Sequence, residues 1–66
     1  MTRTGTVTAF DSHRGLGEVA GSDGAVWPFH CVSIADGTRD IAVGQKVEFE
    51  VDYRVLRLEA VDIRKI

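Results

Sequence analysis

Hydrophobic and polar residues alternate along most of this chain with a period of two. Val7 and Ala9 alternate with Thr6 and Thr8, and Val47, Phe49, Val51 and Tyr53 alternate with Glu48, Glu50 and Asp52. No long window carries apolar residues at helical spacing, so the pattern predicts an all-β chain. Strands are expected near residues 4–10, 16–20, 25–30 and 47–53, with a last one beginning near Leu56. Asp11-Ser12-His13-Arg14-Gly15 and Gly44-Gln45 are turn sequences. Asp23-Gly24 signals a tight hairpin of type I′, which needs positive φ at both central positions. Cys31-Val32-Ser33-Ile34-Ala35 is too short for a stable helix and suits one 3₁₀ turn with Ile34 tucked inward. In the last strand Leu58 and Ala60 share one parity, then Val61 and Ile63 take the other. A switch of this kind is what a β-bulge produces, so one is expected near Ala60-Val61.

Five short strands in 66 residues are too few for two sandwich layers. Curling into a small barrel hides the strand edges and closes one core, which points to an OB-type or an SH3-like barrel. A chain of this length is one domain and buries only about 60% of its unfolded surface. Its 44% apolar content is that of a folded globule. Cys31 stands alone, so no internal disulfide forms, and a reducing compartment, the cytoplasm, is expected. The apolar runs are too short for a membrane span, and the first residues lead straight into a strand pattern with no signal peptide. The net charge is −2, from eight basic and ten acidic residues. That balance argues against coating duplex DNA, which depends on many Lys and Arg contacts. It leaves room for single strands, where stacking on aromatics carries much of the affinity.

Read in order, Gly5-Thr6-Val7, then Phe10-Asp11, Arg14-Gly15-Leu16-Gly17-Glu18-Val19, Trp27-Pro28-Phe29-His30, Ser33-x-Ile-type Ser33-Ile34 and Gly44-Gln45-Lys46-Val47-Glu48-Phe49 form an ordered set of motifs. Together with Ala60 and Ile63 in the last strand, this set resembles the bacterial cold-shock proteins over nearly the whole chain. The resemblance implies a small five-stranded antiparallel OB-fold barrel that binds single-stranded RNA or DNA without catalysis. In that family, bases stack on aromatics projecting from the first three strands. Here Ala9 replaces the tryptophan of the first strand, and Leu16 and Glu18 replace the phenylalanines of the glycine motif. Pro28 and Cys31 replace aromatics flanking the histidine, and Thr38-Arg39 fall where the following loop carries another. Phe10 and His30 remain as stacking groups, and Arg14 keeps the motif's positive charge. The depleted platform implies weak binding.

Strand alternation assigns the faces. With Val19 inward, Gly17 is inward and Leu16, Glu18 and Ala20 point out. Burying Trp27 and Phe29, at roughly 1.5–3 kcal/mol for each large apolar side chain, turns Val26, Pro28 and His30 outward. Two bulky rings in place of two inward valines add volume, so part of Trp27 is expected at the end of the barrel. The candidate binding residues are therefore Phe10, Arg14, Leu16, Pro28 and His30, with Trp27 a possible addition. Each also has a plainer reading: Phe10 as a plug at the barrel mouth, Pro28 as a blunted edge, His30 as a strand-end cap and Arg14 as a solvated turn residue. Glu18 repels phosphate from the middle of this face.

Other chemistry finds little support. His30 and Cys31 point to opposite faces, and with His13 they make no metal spacing. No general base is placed to activate Cys31. Gly15-x-Gly17 lacks a third glycine and a following helix, so it is no dinucleotide motif. The acidic stripe of Glu48, Glu50 and Asp52 reads as a solvated edge. No cofactor is expected. A second functional reading keeps the barrel and gives up nucleic acid; Leu16, Pro28 and the region of Val55, Leu56 and Leu58 then meet a protein partner or a second copy.

Overall fold

The computed structural model describes residues 2–54 and 57–66. Its strands are β1 (Arg3–Asp11), β2 (Leu16–Gly21), β3 (Val26–His30), β4 (Lys46–Arg54) and β5 (Arg57–Lys65), with one 3₁₀ turn at Cys31–Ser33. All pairings are antiparallel in one sheet of order β3-β2-β1-β4-β5. The sheet curls so that its two edge strands, β3 and β5, lie against each other. Among the described residues no ladder joins them. A single parallel bridge, Ile34 to Ile63, and the Ala35 N–H donating to the Ile63 carbonyl at 2.8 Å tie the chain after β3 to β5.

The expected face assignment holds. Val7, Val19, Phe29, Ile34, Ile41, Val47, Phe49, Ala60 and Ile63 form one buried core. Trp27 packs only partly against it, and its ring lies under the Arg3 guanidinium, 5.4 Å from the ring centroid. It packs partly on the core and lies outside the groove described below. Pro28 stands opposite Glu18. The Gly21 N–H donates to the Ala25 carbonyl and the Cys31 N–H to the Gly15 carbonyl. Counting the alternation between these two bonds makes Glu18–Pro28 a non-hydrogen-bonded pair, so the missing proline N–H leaves no gap in the ladder.

Four local expectations need correction. The hairpin turn is not type I′, because Gly24 (φ 90°) has positive φ and Asp23 does not. The Gly24 N–H donates to the Gly21 carbonyl, and Asp23 Oδ1 accepts from the Ala25 N–H at 3.0 Å. This is a three-residue loop closed by a left-handed glycine. Second, β1 carries a bulge at Thr8, between the pairs Val7–Val19 and Ala9–Glu18. It separates residues that strict alternation puts together: Val7 is buried, Ala9 is exposed and Phe10 turns toward the core. Third, the bulge of β5 lies past Val61, at Asp62 and Ile63 opposite Phe49, where Asp62 takes φ 52°. Leu58 is correspondingly exposed rather than core-facing, and its neighbour Glu59 is 2% exposed. Fourth, the acidic stripe of β4 is not simply solvated: Arg64 reaches Glu48 and Glu50, and Thr2 donates to Glu50 at 2.9 Å. The expected patch at Val55 and Leu56 lies outside the described residues.

Candidate functional site

One groove of about 480 Å³ opens where β1, β2, β3 and β5 converge. Its lining comes from Ala9, Phe10 and Asp11 of β1, Leu16, Gly17 and Glu18 of β2, Pro28 and Phe29 of β3, and Arg57 of β5. The bulge at Thr8 brings the Phe10 ring here, stacked on Phe29 with centroids 5.9 Å apart and planes 6° from parallel. The Phe10 ring thus packs on Phe29, as a plug would, and also lines the groove. Leu16 and Pro28 supply apolar walls. Asp11, Glu18 and Arg57 are the charged residues of the lining, two acidic and one basic.

His30 sits beside the groove, across from Leu16. Its Nδ1 lies 3.0 Å from Oε1 of Glu59, and its side chain remains 45% exposed. A carboxylate only accepts, so Nδ1 carries the proton of this bond. The other carboxylate oxygen of Glu59 accepts from Nε of Arg57 at 3.2 Å. Burial raises the Glu59 carboxyl, but the hydrogen bonds from His30 and Arg57, with their charges, outweigh it and hold the group below the usual carboxylate value. Of the predicted residues, Phe10, Leu16 and Pro28 meet in the groove and His30 borders it. Arg14 does not join them. The Asp11 carboxylate accepts from the His13 and Arg14 N–H groups, and the Arg14 side chain, 74% exposed, turns toward Asp11.

Sequence reasoning missed Arg57 and Glu59. Both lie in a strand whose core parity was assigned through Leu58, and the inverted exposure of Leu58 and Glu59 hides them from an alternation argument. An acidic residue at a buried strand position gives no sequence signal until its partners are known. Among the described residues no helix is long and apolar enough to cross a membrane.

Comparison with known proteins agrees with this geometry. A family model described as the 'Cold-shock' DNA-binding domain matches residues 3–66. Cold shock-like protein CspA of Stigmatella aurantiaca (strain DW4/3-1) is 38% identical over 65 residues, spanning 96% of each chain.

Proposed function

This chain belongs to the cold-shock DNA-binding domain family, and from that premise we propose that it binds single-stranded RNA or DNA in the groove at Phe10. The family holds nucleic acid and is not enzymatic. One observation carries the reading: an aromatic platform, Phe10 on Phe29, lies between the apolar walls Leu16 and Pro28, with Arg57 in the lining and His30 at the border. A base laid on Phe10 gains stacking worth about 1–3 kcal/mol, with little sequence preference because every base offers a π-face. Arg57 and His30 are placed to meet the backbone, while Arg14 contributes charge from the neighbouring turn.

With one half-buried platform, and with two acidic residues beside one arginine in the lining, binding is weak and its salt dependence modest, since few phosphates are contacted. The lone Cys31 fits action in the cytoplasm. The test titrates the protein with oligo-dT and with a short RNA at low and high salt, following backbone amide shifts. Saturable shifts confined to the groove are expected. Phe10→Ala weakens binding about 5- to 150-fold, the loss of one stacked base. Absence of saturable shifts at low salt overturns the reading.

A second reading, contact with a protein partner or a second copy, draws on Tyr53 and Leu58, which face each other across β4 and β5 and are 61% and 48% exposed. Concentration-dependent sedimentation that Tyr53→Ser abolishes supports it; a monomer at all concentrations refutes self-association.

A further inference from the structure

Glu59 is a costly residue to find inside a small barrel. Its side chain is 3% exposed, and a buried carboxylate is tolerated only when paired and hydrogen-bonded. Here both oxygens are used, one by His30 and one by Arg57, and each partner is about half exposed beside the groove. The arrangement crosses the barrel's closing line, since His30 ends β3 and Arg57 and Glu59 open β5. Neither Arg57 nor His30 needs the carboxylate to fill space in the core. Both partners of Glu59, one arginine and one histidine, are held to it at one place beside the groove.

We propose that Glu59 is the positioning residue of the groove: it holds Arg57 at the lining and fixes His30 with the proton on Nδ1, so that Nε2 accepts from the nucleic acid when the ring is neutral and donates to a phosphate once the ring is protonated. The proposal rests on the binding role given above to this groove. The charge balance follows directly. Glu59 and Arg57 cancel, so the cluster is neutral with neutral His30 and carries one positive charge with protonated His30. Imidazole changes charge between about pH 5 and 8. Among the described residues Glu59 is the ion-pair partner of His30; its cross-strand neighbour Leu16 is uncharged, Glu18 lies two residues along the same face of β2, and the 3₁₀ turn adds no charged side chain. A protonated His30 therefore gives the single-stranded ligand one more phosphate contact than a neutral one.

Two measurements separate this proposal from the binding role itself. In the free protein, long-range proton–nitrogen correlation of the His30 ring reads its tautomer directly; the Nδ1–H form is expected, and the Nε2–H form overturns the proposal whatever the protein binds. For binding, oligo-dT affinity is measured at about pH 5.5 and about pH 7.5, with His13→Gln as background to remove the other histidine. About tenfold tighter binding is expected at the lower pH, with a salt dependence steeper by about 0.7 in log–log slope, one extra phosphate. Glu59→Gln, nearly the same shape, and His30→Gln each remove most of that gain. Equal affinity and slope at both pH values, or a Glu59→Gln variant that keeps the full gain, overturn the proposal. If the wild type fails to bind at either pH, the binding role falls, and the tautomer still decides whether Glu59 positions the ring. If Glu59→Gln does not fold, His30→Gln and the tautomer of the wild type decide.

Discussion

Gly17→Ala tests how closely β2 and the Phe29 ring approach. A Cβ at Gly17 falls 2.5 Å from Cζ and 2.8 Å from Cε1 of Phe29, and 2.7 Å from the Ala9 carbonyl oxygen. Carbon atoms in contact prefer about 3.5–4.0 Å, so the ring must retreat by roughly 1 Å. It has little room: Phe29 is 0% exposed and Phe10 is stacked on it. The Ala9 oxygen is backbone in a paired strand and yields less readily than a side chain. Gly17 does not have positive φ, so alanine is allowed locally and gains about 0.4–1 kcal/mol by restricting the unfolded chain. Overpacking costs about 1–3 kcal/mol, and with two independent clashes the upper half of that range applies. The net is a loss of about 1–2.6 kcal/mol. A chain of this size has roughly 3–10 kcal/mol of stability in total, and each kcal/mol moves Tm by about 4–8 °C. Thermal and urea unfolding, followed by circular dichroism, should show a drop of about 4–21 °C in Tm. Adding Phe29→Leu removes the clashing ring atoms, so the double variant should be less destabilised than the sum of the single changes. A Gly17→Ala protein as stable as the wild type, or strict additivity within about 0.5 kcal/mol, refutes the reasoning.

Asp36 accepts from Lys65 at 2.9 Å and from the Thr38 hydroxyl and N–H, which hold its carboxyl at about 2, below the ordinary 3.8. A depressed carboxylate stabilises the fold above its unfolded value and loses that contribution as pH falls through the folded one; urea midpoints should drop between about pH 4 and 2, and Asp36→Asn should flatten that part of the profile. Arg3→Ala should change Trp27 fluorescence and cost about 0.5–1 kcal/mol by removing the cation over the ring, while leaving affinity for oligo-dT unchanged, because Arg3 lies outside the groove. Pro28→Val should cost less than about 1 kcal/mol, since the ladder needs no N–H there. It should raise self-association in sedimentation runs by adding a donor to the outer edge of β3.

The elements were legible because they follow the polar–apolar period and the turn residues. All five strand positions, the inward Phe29 and the 3₁₀ turn can be read from the polar–apolar period and the turn residues. The Thr8 and Asp62 bulges cannot, because each inserts one residue whose effect is visible only against the partner strand. The site divides the same way. Phe10, Leu16, Pro28 and His30 lie where their motifs put them, though the bulge decides that Phe10 faces both the core and the groove. Arg14, the motif's cation, lies in a turn capped by Asp11 and outside the groove lining. The cation in the groove, Arg57, and the carboxylate that holds it sit on the strand farthest from the glycine motif, so only the closure of the sheet brings them to it.

That closure has a consequence for how the molecule opens. Among the described residues β3 and β5 meet without a ladder, and only one bridge and one backbone hydrogen bond tie the segment after β3 to β5, so few backbone bonds hold this line. His30 and Glu59 are 29 residues apart in sequence, so their contact forms only once the chain between them has closed. Swinging β5 outward separates His30 from Glu59 and carries Arg57 away from Phe10 in one movement. Barrel integrity and ligand grip thus share one hinge line. Hydrogen exchange of the amides along β5 should slow when ligand is added, because a protein held at this line by nucleic acid cannot breathe there.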